Sequence, residues 1–69
     1  EMKHMITING HKKPWQEGMT VQDALNLMNY TFKMLVVKID DILVQKKDYA
    51  STTIPDGADV KVIHLISGG

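Results

Sequence analysis

The chain has 69 residues, no cysteine, and eight lysines with no arginine against eight Asp plus Glu, for a net charge of zero. A chain this size holds one domain and buries only about 60% of its unfolded surface, so it cannot spare the roughly 300 Å³ or more that a deep catalytic cleft takes. Balanced charge offers no basic face for nucleic acid and no attraction to a membrane, and the missing cysteines exclude a disulfide framework, a thiolate zinc site and a cysteine nucleophile.

Glu1-Met2-Lys3-His4 precede the first strand pattern and read as leader residues outside the fold, which leaves a domain over 5–66 and a tail over 67–69. Met5-Ile6-Thr7-Ile8-Asn9 alternates and runs into Asn9-Gly10, a hairpin signal because both residue types tolerate positive φ. The return strand, about Lys12 to Gln16, carries Trp15 as its one large apolar residue. Pro14 has no N–H for a ladder, which places this strand at a sheet edge.

Thr20 reads as an N-cap with Asp23 three residues on, a capping box with the shorter acid. The helix begins at Val21, with Val21, Ala24, Leu25 and Met28 on one apolar stripe, Leu27 at its margin, and an end by Asn29-Tyr30-Thr31. Met34 to Ile39 is a continuous apolar run of strand length, expected inside the sheet and covered on both faces. Asp40-Asp41 makes a two-residue turn into Ile42-Leu43-Val44, since Asp visits the left-handed region more readily than most residues. Gln45 to Thr53 is a polar loop with room for a helical turn and Tyr49 as its apolar anchor, and Ile54-Pro55-Asp56-Gly57 turns into the last strand, from Asp59 or Val60 to Leu65.

The longest apolar runs, Met34 to Val37 and Ile42 to Val44, are too short to cross a bilayer, and no signal-peptide pattern is visible, so the cytoplasm is the expected location. His4, His11 and His64 lack metal-ligand spacing, and five methionines in a small core are packing material. No metal or resident cofactor is expected.

Two β-strands, a helix and three further strands predict an α+β chain of the β-grasp (ubiquitin-like) type, in which one helix packs on one face of a mixed sheet of four to five strands and the first and last strands meet at its centre. In the last strand Val60 and Val62 share one face, while Lys61, Ile63 and Leu65 share the other. With the valines against the helix, Ile63 and Leu65 face outward. The strand then ends at Ser67-Gly68-Gly69, which can pack nothing and is costly to order unless a partner threads or reacts with it. Standing alone, such a tail reads first as a frayed terminus.

Order and tail together resemble the ubiquitin-like sulfur carrier proteins, most closely the thiamin-pathway (ThiS) family. The residues that carry the likeness are Ile8-Asn9-Gly10, Gly18-Met19-Thr20-Val21, Val37-Lys38-Ile39, Val44 with Lys46, Ile54-Pro55-Asp56-Gly57 and Ser67-Gly68-Gly69. The family usually has Asn where Asp40 stands, often Arg where Lys46 stands and often Asp where Ala58 stands. The resemblance implies a protein co-substrate with no catalytic residues of its own. Its Gly69 carboxylate would be adenylated by an ATP-dependent, ubiquitin-activating-like adenylyltransferase and converted to a thiocarboxylate. Sulfur from a donor such as a cysteine desulfurase would then pass to thiazole synthase. Gly68 and Ser67 would thread the partner's channel, where any Cβ at Gly68 or Gly69 should obstruct, and Ile63, Leu65 and Val36, rimmed by Lys38 and Lys61, would form the partner interface. The alternatives are a molybdopterin synthase small subunit, which commonly has proline before its glycines where His64-Leu65-Ile66-Ser67 has none, a ubiquitin-like protein modifier, and a passive binding module.

Overall fold

The computed structural model describes residues 4–31 and 34–65. Five strands, β1 (Met5–Ile8), β2 (His11–Pro14), β3 (Leu35–Ile39), β4 (Ile42–Val44) and β5 (Asp59–His64), form one sheet in the order β2-β1-β5-β3-β4, with helix α1 at Val21–Leu27. β1 and β5 are parallel at the centre and every other pairing is antiparallel, so the sheet is mixed with one helix, the β-grasp arrangement.

Both two-residue turns form through positive φ. Asn9 and Gly10 stand at 53° and 83° between β1 and β2, and Asp40 and Asp41 at 50° and 71° between β3 and β4. Such paired left-handed residues match the right-handed twist of the flanking strands, and they fix register. Thus Ile39 faces Ile42 and Lys38 faces Leu43. Asp40 also holds β5, its N–H donating to the Asp59 carbonyl at 2.9 Å while its Oδ1 accepts from the Asp59 N–H at 3.0 Å.

The helix starts where its cap predicts. Thr20 Oγ1 accepts from the Asp23 N–H at 3.2 Å, and an Asp23 carboxylate oxygen accepts from the Thr20 N–H at 3.0 Å. The two remaining first-turn donors are met from far along the chain, Val21 N–H by the Thr52 carbonyl and Gln22 N–H by the Tyr49 carbonyl. The loop after β4, with its 3₁₀ turn at Lys46–Asp48, is thereby tied to the helix N-terminus. The helix stops by a specific device rather than by weak propensity alone. Asn29, at φ 59°, donates to the Asn26 carbonyl, and Tyr30 N–H donates to Leu25, the bond pattern of a Schellman cap with Asn in the left-handed position.

The core lies between helix and sheet. Val21, Ala24 and Leu25 of α1 meet Ile6 and Ile8 of β1, Val60 and Val62 of β5, Val37 and Ile39 of β3 and Val44 of β4, and Tyr49, Ile54 and Ala58 close it from the loops. Burial raises the Tyr49 phenol above its ordinary pKa.

Three expectations need correction. β3 lies inside the sheet but is covered on one face only: Val37 and Ile39 are buried, whereas Val36 and Lys38 are half-buried. One helix cannot cover both faces of a sheet. Trp15 lies just past β2, half-buried, its indole N–H donating to the Ile54 carbonyl. His4, read from the sequence as outside the fold, is joined to it: its carbonyl accepts from Trp15 N–H, its Nδ1 is 2.9 Å from Asp56 Oδ2, and its ring lies 5.4 Å from that of Trp15.

Candidate functional site

The sheet face opposite the helix is open, and the strand registers decide which side chains meet there. In the β3–β5 ladder Val36 faces Ile63 and Lys38 faces Lys61, and beyond it the Leu65 N–H donates to the Met34 carbonyl at 3.0 Å. Alternation puts Val60 and Val62 in the core and leaves Ile63 and Leu65 outside it, 45% and 42% exposed. The five interface residues named from the sequence therefore share one face, with Val36 and Ile63 in one row and the two lysines in the next.

Two residues that the sequence reading did not name belong with them. Leu43, 57% exposed, lies opposite Lys38 in β4, and Met34, 51% exposed, stands beside Leu65. The signal for Leu43 was present in the Asp40-Asp41 turn, because a two-residue hairpin fixes the pair Lys38 and Leu43 and hence their shared face. The result is an apolar strip of Met34, Val36, Leu43, Ile63 and Leu65 crossed by Lys38 and Lys61.

Among the described residues, the strip itself holds no acidic side chain to match its two lysines. Lys38 and Lys61 are direct cross-strand neighbours, and like charges so placed disfavour the sheet. Among the described residues Lys61 Nζ reaches only Asp59 Oδ2, at 3.9 Å between two exposed side chains, a contact worth little in water.

Ser67, Gly68 and Gly69 lie outside the described residues. β5 ends at His64, so the face and the glycine segment are consecutive along the chain.

Elsewhere the surface offers little for chemistry. A shallow, open hollow of about 390 Å³ is lined by Pro14, Glu17, Met19, Asp23 and Leu27, but the Asp23 carboxylate is committed to capping the helix. Among the described residues no three His, Asp or Glu side chains converge as a metal would require, and no helix is long and apolar enough to cross a membrane.

Comparison with known proteins agrees with this architecture. The chain is 28% identical over 64 residues to the uncharacterized protein ycf40 of Porphyra purpurea, covering 93% of this chain and 90% of that one. Its fold matches the crystal structure of a thiamine biosynthesis protein (ThiS) from Geobacter metallireducens with a TM-score of 0.74 at 20% identity, over 94% of this chain and 99% of that one. The model of the ThiS family matches residues 4–69, all but the first three, and the chain therefore belongs to the ThiS family.

Proposed function

We propose that this protein is a sulfur carrier of thiamin biosynthesis whose cargo is held at the Gly69 carboxyl. Membership of the ThiS family supports a small carrier of sulfur in thiamin biosynthesis rather than a catalyst, and the observation that carries the finer reading is that the family match runs through Ser67-Gly68-Gly69. A carboxylate is a poor electrophile. Attack of its oxygen on the α-phosphorus of ATP, with pyrophosphate leaving, makes an acyl adenylate, and a sulfur nucleophile then displaces AMP to leave a thiocarboxylate. Glycine at the last two positions keeps the reacting carbonyl unhindered in a narrow channel.

In this reading the chain contributes geometry. The apolar strip around Ile63, Leu65 and Val36 docks on the adenylyltransferase and then on thiazole synthase. Lys38 and Lys61 meet carboxylates on those partners, and Ser67 and Gly68 carry the terminus into the active site. ATP is consumed by the partner, and no cofactor resides on the carrier. The protein works in the cytoplasm, where its partners and a sulfur donor such as a cysteine desulfurase are found.

The test is the intact mass of the chain after incubation with ATP, a sulfur source and the adenylyltransferase of its own cell. A sulfur-for-oxygen exchange located on Gly69 by fragmentation is the expected result. No exchange, with that enzyme active on another carrier, would refute the proposal, and a conjugate to lysine that resists reductant would point to a protein modifier.

A further inference from the structure

The two edges of the sheet are built differently. β2 presents Lys12, Lys13 and Pro14, the charged and donor-less residues that discourage a further strand from adding. β4 has neither charge nor proline, and its Ile42 is 70% exposed, the most exposed large apolar residue among those described. Because Ile39 and Ile42 close a two-residue hairpin, they form a hydrogen-bonded pair and the next pair, Lys38 and Leu43, does not. The N–H and C=O of Leu43 therefore point away from β3 along the free edge. Gln45 continues the extended backbone at φ −81°, ψ 152°.

The ends of this edge carry opposite charge. Asp40 and Asp41 precede β4, and Lys46 and Lys47 follow it, all four exposed. Among the described residues the one ion pair these lysines form is a long one, Lys47 Nζ to Asp48 Oδ2 at 4.0 Å. A strand that is acidic at its start and basic at its end is complementary to itself in antiparallel orientation.

We propose that β4 is a self-pairing edge, through which two copies of the chain join antiparallel about a two-fold axis centred on Leu43. In that register Leu43 faces Leu43 of the second copy and the two exchange both N–H···O=C bonds. Ile42 then lies opposite the second copy's Val44 on the helix side, and Asp41, on the β4 side of its turn, lies toward that copy's Lys46 and Lys47, while the Asp40 carboxylate stays with Asp59 of β5. The product is a continuous ten-stranded sheet, with both helices on one side and both apolar strips on the other. Val36, Ile63 and Leu65, the residues of the partner docking proposed above, stay open in each copy while Leu43 at the strip's edge enters the seam, so self-pairing leaves that docking free and does not depend on it.

A contact of about four residues per copy is far below the area of a stable dimer, so the dissociation constant falls on the order of 0.1–1 mM. Sedimentation and amide NMR of the full chain from about 10 μM to about 2 mM bracket that range. The expected result is a shift from 7.8 kDa toward twice that mass. The amides of Leu43 and Gln45 should move most, and added salt should weaken association by screening the end charges. Leu43→Lys, at an exposed edge position, and the double variant Lys46→Glu with Lys47→Glu, which sets acid against acid, should each raise the dissociation constant about tenfold or more with an unchanged melting temperature. A 7.8 kDa species at every concentration would overturn the proposal. So would association that survives both variants or maps to Val36, Ile63 and Leu65, or an edge occupied only by a strand of the adenylyltransferase.

Discussion

Replacing Asn9 tests how the central strand is held. β1 turns away at Asn9, whose N–H still donates to the Val60 carbonyl at 2.9 Å, and the next outward-facing backbone groups of β5, those of Val62, would be left without a strand partner. The Asn9 side chain fills that place. Its Oδ1 accepts from the Val62 N–H at 2.8 Å and its Nδ2 donates to the Val62 carbonyl at 3.1 Å, so one amide acts as one more residue of the ladder. Asn9→Gly keeps the left-handed turn free of strain and removes these bonds together with a longer, exposed one from Asn9 Nδ2 to the Tyr30 hydroxyl at 3.4 Å. Two part-buried groups losing their partner, each at the low end of about 1–3 kcal/mol, cost about 2 kcal/mol together. Asn9→Ala removes the same bonds and adds about 1 kcal/mol for a Cβ at φ 53°. At roughly 4–8 °C per kcal/mol for a chain of this length, a central loss of about 2 kcal/mol lowers the melting temperature of Asn9→Gly by about 8–16 °C, with Asn9→Ala melting lower still. Urea titration of the three proteins checks the free energies, and amide hydrogen exchange checks the location, since Val62 should lose protection in both variants. An Asn9→Gly protein that melts with the wild type, or one in which Val62 keeps its protection, would refute the reasoning.

Thr20→Ala removes the side-chain acceptor for Asp23 N–H and should cost about 1 kcal/mol in urea titration, while Thr20→Ser should restore most of it. Tyr49 gives an alkaline signature. Its folded pKa lies above the ordinary 10.0, so its contribution is fully present below pH 10.0 and is lost as pH rises from there through the folded value. Melting curves of wild type and Tyr49→Phe should therefore converge on the alkaline side, and a gap that stays constant to the highest pH would contradict the assignment. Ile63→Asp places a carboxylate in the open strip, where 45% exposure makes the fold tolerant. It should weaken activation by the adenylyltransferase about tenfold or more, read as kcat/KM, with melting shifted by only a few degrees. Unchanged activation would remove Ile63 from the interface.

What the sequence displays and what it hides divide along chain separation. The stripe of Val21, Ala24 and Leu25, the Thr20 cap and the positive-φ turns at Asn9-Gly10 and Asp40-Asp41 are legible because each is set by residues a few positions apart. The outward placement of Ile63 and Leu65 follows from strand alternation once Val60 and Val62 are given to the core. The Asn9 bonds to Val62 span 53 residues, and the carbonyls of Thr52 and Tyr49 that complete the helix start come from 31 and 27 residues further along the chain, so they need the tertiary fold to be seen. Leu43 falls between these cases. Nothing within Ile42-Leu43-Val44 says which side chain faces the helix, but the two-residue turn transfers the alternation of β3 across to β4 and decides it. The same rule bears on why the strip exists. A fold with one helix on one face stabilises Val37, Ile39, Val60 and Val62 by burying them, and it gains nothing comparable from Met34, Val36, Leu43, Ile63 and Leu65 on the other. Placing Lys38 against Lys61 among them costs the isolated sheet further. Folding explains the first set of residues and not the second, whose register, apolar character and like charges fit a surface that is completed by another protein.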